Sequence, residues 1–135
     1  MAEQRIPRLY TVDEARELVG TLRPLLSEIR GLRREIGRQT AALHKLSPEM
    51  RGNGHAPEVA RREGRIAQCI ETIGERLNQI EELDIEVKDL DTGLVDFFSL
   101  RAGRIVYLCW AVDEPTVAYW HDIDAGFVGR QPIDP

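Results

Sequence analysis

The chain has 135 residues, 42% hydrophobic and 30% charged, with a net charge of −5. That length suits a single domain over residues 1–135, and that balance excludes a disordered chain. No apolar run approaches the roughly 20 residues needed to span a bilayer, MAEQRIPRLY lacks the apolar core of a signal peptide, and the acidic total argues against a general nucleic-acid binder.

A cytoplasmic protein, of prokaryotic type, is therefore expected. Cys69 and Cys109 are the only cysteines, and neither lies in a Cys-x-x-Cys pair. A thiolate zinc knuckle and a disulfide are both disfavoured, so buried, inert thiols are expected.

The first predicted element opens at Thr11-Val12-Asp13-Glu14, a capping box, with Tyr10 where a hydrophobic staple would sit. Ala15, Leu18, Leu22, Leu25, Ile29, Leu32, Ile36, Leu43 and Leu46 then recur in steps of three and four, with Gln39 in one slot. That is a heptad seam, which asks for a partner helix along its length. Pro24 and Gly20 predict a kink near 20–24, and Gly31 and Gly37 either weaken the helix or admit a close neighbour.

Residues 47–56 (SPEMRGNGHA) read as a loop, and Pro57 suits the first turn of a second helix. Val59, Ile66, Ile70, Ile73, Leu77, Ile80 and Leu83 give that helix its own seam. A short loop makes the two helices antiparallel neighbours. A first helix of about 35 residues would be about 50 Å long at ~1.5 Å per residue. So thin a rod must pack on the C-terminal sheet, on a second protomer, or on both.

After Leu83 the period changes to two. Residues 86–90 and 94–98 read as a hairpin about Asp91-Thr92-Gly93, with Lys88 opposite Asp96 as an ion pair, Leu90 opposite Leu94 and Val87 opposite Phe97. Asp89 falls on the apolar face in that register and needs Arg130 or Arg104 as a partner. Ala102-Gly103 makes the next turn. Ile105–Ala111 and Val117–His121 pair so that Trp110 faces Tyr119, Cys109 faces Trp120 and Leu108 faces His121. The expected fold is α+β: a coiled-coil-like antiparallel helical hairpin over 11–84, then a small four-stranded antiparallel β-meander and an ordered tail within 85–135.

His121, at a strand end before Asp122 and Asp124, is the candidate metal ligand or general base, with Glu114, Asp96 or Glu14 supplying carboxylates for an iron- or zinc-type set. A structural histidine is the competing reading. Lys88 and Asp96 can hold and orient an anion, and Arg130 in GFVGR can fork a carboxylate or phosphate; plain cross-strand pairing and a sheet-crossing tail are the bland equivalents.

Residues 30–65 are basic against an acidic remainder: Arg30, Arg33, Arg34, Arg38, Lys45, Arg51, Arg61, Arg62 and Arg65 face Glu35, Glu49, Glu58 and Glu63. This surface reads as a solvated face laced with ion pairs, a docking surface for an acidic partner or protomer, or a phosphate contact at the hairpin tip. No aromatic interleaves these arginines, so base stacking is not on offer.

EVKDLDTGLVDF (86–97), GRIVYLCW (103–110) and YWHDIDAGFVGRQP (119–132), with YTVDEARELV and RPLL near the N-terminus, resemble the signature of an uncharacterised prokaryotic family, DUF2203. The resemblance covers nearly the whole chain outside the 47–57 loop. It implies that Glu14, Lys88, Asp89, Asp96, Trp110, Glu114, Trp120, His121, Gly126, Phe127 and Arg130 lie on motif positions. Asp84 departs from it, standing where a helix-ending Gly is expected.

The expected function is a dimeric structural or interaction module built on the helical hairpin. The alternative is a small-molecule or divalent-metal site around His121 at the sheet end, with enzymatic activity left open.

Overall fold

The computed structural model describes residues 6–46 and 54–134. Helix α1 spans Val12–His44 and α2 spans Ala56–Glu81; strands β1 (Ile85–Asp89), β2 (Leu94–Arg101), β3 (Arg104–Ala111), β4 (Tyr119–Asp122) and β5 (Gln131–Pro132) follow, with a 3-10 turn at Phe127–Gly129. The fold is α+β, two packed helices and an antiparallel sheet in the order β1-β2-β3-β4-β5. The sheet has five strands, not the expected four. Gln131 and Pro132, assigned to the tail by sequence, pair with Trp120 and Tyr119.

The capping box forms. Thr11 Oγ1 accepts from the Glu14 N–H at 3.1 Å, and the Glu14 carboxylate accepts from the Thr11 N–H at 2.9 Å. Tyr10 anchors the entry to the helix on the sheet. Its N–H donates to the Phe98 carbonyl at 2.7 Å, its ring meets Phe97 edge-on at 5.4 Å, and its hydroxyl donates to the Leu83 carbonyl.

Helix α1 runs unbroken through Pro24. Gly31 and Gly37 are not sites of close approach, since a Cβ at either would meet nothing within 4 Å. The buried positions are Ala15, Val19, Leu22, Leu26, Ile29 and Leu43, while Leu18 and Leu25, expected in the seam, are half-buried. A helix that contacts both a sheet and a second helix needs a wider apolar arc than a two-helix seam.

Cross-helix pairs show the antiparallel run: Glu28 with Arg76, Glu35 with Arg65 at 3.7 Å, and Gln39 accepting from Arg62 at 3.0 Å. The polar slot at Gln39 is thus a bridge between helices. Pro57 lies in the first turn of α2 as expected. The predicted 47–56 loop falls largely outside the described residues. Asp84 adopts the left-handed conformation at φ 61°, and its carboxylate accepts from the Arg8 N–H at 3.0 Å.

Both registers differ from the sequence reading. Glu86, not Lys88, stands opposite Asp96, Val87 faces Val95, and Asp89 faces Leu94 after an irregularity between Val87 and Asp89. Asp89 is exposed and needs no buried arginine; its carboxylate accepts from the Asp91 N–H at 2.9 Å and closes a longer turn.

Between β3 and β4 the register is one residue away from the expected one: Cys109 faces Tyr119, Leu108 faces Trp120 and Tyr107 faces His121. The 112–118 connection sets this offset. The Arg23 guanidinium donates to the carbonyls of Val112, Glu114 and Pro115, and the Trp110 indole N–H donates to the Glu114 carbonyl at 3.0 Å.

A one-residue offset moves a strand's side chains to the other face. Trp120 therefore joins Val95, Phe97, Val106, Leu108 and Trp110 in the core beneath α1 and Ile80 of α2. His121, Cys109, Tyr107 and Asp96 share the opposite face. Among the described residues, no helix is long and apolar enough to cross a membrane.

Candidate metal centre

Three central strands place unlike donors side by side on the face away from the helices. Asp96 (β2) and Cys109 (β3) are directly paired, and His121 (β4) lies diagonally next to Cys109. All three are buried, and one ligand atom from each lies within 4.8 Å of the others. Among the described residues, Asp96, Ser99 and His121 are the buried polar or charged residues, and Ser99 is satisfied on the core side by the Tyr10 carbonyl at 2.6 Å.

His121 Nδ1 lies 2.8 Å from the Asp122 carbonyl, which can only accept, so Nδ1 carries a hydrogen. The ring atom left for chemistry is Nε2, which lies 3.1 and 3.2 Å from the two Asp96 oxygens. A ligating histidine whose other nitrogen donates to a carbonyl is the usual outer-shell arrangement of metal sites.

Burial raises the Asp96 carboxyl above the usual carboxylate range, against the pull of His121 and a hydrogen bond from the Cys109 thiol. Burial also pushes the Cys109 thiol up to about 12, with the Asp96 charge adding to it and Arg130 opposing. A divalent cation among these groups would reverse the balance, because a coordinated thiol is deprotonated.

The distances suit such an ion. Zinc bonds of about 2.0–2.3 Å set tetrahedral ligand atoms roughly 3.5 Å apart, so His121 and Asp96 are nearly in place, and the Cys109 sulfur lies within 4.8 Å of both. The buried Asp96–Cys109–His121 triad is thus capable of coordinating a divalent metal.

The tail roofs this face. Gly126, at φ 66° and ψ −169°, takes a conformation essentially confined to glycine and turns the chain into Phe127–Gly129. Arg130 then ties the tail down. It donates to both Glu114 oxygens at 2.7 and 2.8 Å, and its guanidinium stacks 4.0 Å from the Tyr119 ring centroid.

Arg130 Nε is buried without a partner, so the strap leaves one donor unsatisfied. A cavity of about 220 Å³ opens on Asp96 and His121, with Lys88, Leu94, Tyr107, Ile123 and Phe127 among its walls; Cys109 does not line it. A second, of about 410 Å³, adjoins it across Leu94 and Phe127 and reaches Glu114 and Arg130.

Of the residues singled out from sequence, His121, Asp96 and Lys88 come together. Lys88 does not pair with Asp96; it binds Glu86 and sits 4.8 Å over the Tyr107 ring. Glu114 is held by Arg130 and by the Ala111 N–H at 2.7 Å, and Glu14 by the helix cap, so neither carboxylate joins the triad.

The basic residues mostly meet acids of the same chain. Arg30 pairs with Asp113 at 3.1 Å, Arg33 with Asp91 at 2.5 Å, Arg38 and Arg65 with Glu35, and Arg62 with Glu58. Arg34 joins Arg30 and Arg33 along a shallow groove beside Leu90, and Arg61 joins Arg62 in another. Cys109 was missed as a ligand. Its strand position was legible, but the expected register turned His121 to the other face.

A family model described as "Uncharacterized conserved protein (DUF2203)" matches residues 8–133. No curated protein and no solved structure matches the chain.

Proposed function

Since the chain belongs to the DUF2203 family, whose description carries no activity, the function has to come from the site itself, and we propose that this is a metal-binding protein holding one divalent ion on Asp96, Cys109 and His121. The observation that carries this reading is the convergence of three unlike, buried donors from adjacent strands, two of which, Asp96 and His121, line a cavity. The mixed oxygen, sulfur and nitrogen set suits zinc or iron(II) rather than calcium or magnesium. Three protein ligands leave a coordination position open, as in catalytic rather than structural zinc sites.

Elemental analysis of gently purified, untagged protein tests this beside His121→Ala and Cys109→Ser. Near-stoichiometric zinc, iron or manganese is expected in the parent, with affinity about 100-fold lower or worse in both variants. A parent that takes up no metal, even when offered cobalt(II), would leave the triad as a buried hydrogen-bonded set.

A homodimeric interaction module remains the second reading, supported by Ile70. It occupies a seam position of α2, yet is 58% exposed. Sedimentation equilibrium should show a dimer that Ile70→Lys weakens; a monomer at all concentrations removes this reading.

A further inference from the structure

The cavity that opens on Asp96 and His121 has a lining of definite character. One end is the open side of the Asp96–His121 pair. The walls are Leu94, Ile123, Phe127 and the Tyr107 ring, all apolar surface.

Among the lining residues, Lys88 carries the ammonium. Its ammonium lies 4.8 Å over the Tyr107 ring, that ring lies 5.3 Å from the His121 imidazole, and all three line the cavity. Glu86 fixes Lys88 from outside the lining and also accepts from the Tyr107 hydroxyl at 2.9 Å. An ammonium has three donors, so Lys88 keeps N–H groups free after binding Glu86.

Charge then selects the ligand. A divalent ion with the Asp96 carboxylate and the Cys109 thiolate is neutral as a set, and so is the Lys88–Glu86 pair beside it, but of that pair only the Lys88 ammonium lines the cavity. An anion satisfies both the open coordination position and the ammonium; a cation satisfies neither. The cavity, about 220 Å³, has room for a small organic acid. Apolar walls favour a carboxylate with a short hydrocarbon body over a fully hydrated oxyanion such as phosphate.

We propose that this cavity binds a small aliphatic carboxylate, with one oxygen at the open metal position, the carboxylate held by Lys88, and the hydrocarbon against Leu94, Ile123 and Phe127. The proposal rests on the metal reading above. It makes Lys88 the residue that selects for the anion, while the triad alone retains the ion.

The test uses cobalt(II)-loaded full-length protein titrated with butyrate and, separately, with inorganic phosphate. Metal content is measured on each sample, and binding is read from the cobalt absorption spectrum and by calorimetry. Butyrate is expected to shift the spectrum and to bind more tightly than phosphate. Lys88→Met should keep its cobalt and lose about tenfold or more in butyrate affinity, and Lys88→Arg should recover most of it.

Cobalt retained with no response to butyrate, tighter binding of phosphate, or equal butyrate affinity in Lys88→Met each overturns the proposal while leaving the metal reading in place. Failure to retain cobalt overturns both.

Discussion

Cys109 is held as a thiol by its surroundings, at about 12, first by burial and then by the Asp96 charge beside it. Metal binding must expel that proton. Uptake at neutral pH should therefore release at least one proton per ion, and apparent affinity should rise about tenfold per pH unit for each proton released. The sign is fixed: the thiol is protonated throughout the physiological range, so acid always competes with the metal. Calorimetry in buffers of different ionisation enthalpy counts the protons, and a count of zero would show that Cys109 stays outside the coordination shell. Cys109→Ser removes the thiolate-to-cobalt charge-transfer absorption in the same preparation. From sequence, Cys109 read as an inert core thiol because a lone cysteine in a strand carries no ligand spacing. His121 and Asp96 were legible as candidates, since an imidazole and a carboxylate are ligand-type groups that the strand pattern brought toward one sheet end.

Turns set which of these residues meet. Gly93 has φ 64°, and a Cβ there would come within 2.8 Å of Val112 Cγ1. Gly93→Ala should therefore cost about 2–3 kcal/mol, from left-handed strain and overpacking together. Chemical denaturation measures this; a loss below about 0.5 kcal/mol would mean that the turn and Val112 yield freely. The Ala102-Gly103 turn was legible from its residues, and its register, Arg101 opposite Arg104, follows. The two other connections were not. The Asp89 side chain lengthens the first, and Arg23, from the middle of α1, fixes the second through three carbonyls. The Asp89 contact is local but invisible to hydrophobic periodicity, and the Arg23 anchor joins residues 89 to 92 positions apart, so hydrophobic alternation alone placed His121 beside Leu108 and Trp110 rather than beside Cys109.

At the scale of the molecule, the N-terminal half of α1 closes the core over one face of the sheet, and the tail roofs the other. The site is built from β2, β3 and β4, which carry much of the core on their reverse face. Ligand binding to such strands couples to global unfolding. Zinc at about 100 times its dissociation constant should add about 2.7 kcal/mol, a rise in Tm of roughly 10 °C, abolished by chelator and absent in His121→Ala. A parent protein whose Tm ignores both zinc and chelator would separate the triad from metal binding. The farther part of the helical hairpin is different in kind. Beyond Ile36 its buried residue on α1 is Leu43, and its face is carried by Arg–Glu pairs and the Gln39–Arg62 bridge.

The amino-acid sequence by itself determined the two helices, the capping box, the strand positions, the turn glycines and the family resemblance, because each depends on residues a few positions apart. Tertiary structure decided the fifth strand, the register of β1 and β4, and the company His121 keeps. Strand register depends on distant anchors such as Arg23 and Arg130, and a slip of one residue reverses a whole face. That reversal separates a histidine packed among core tryptophans from one aimed at a carboxylate and a thiol.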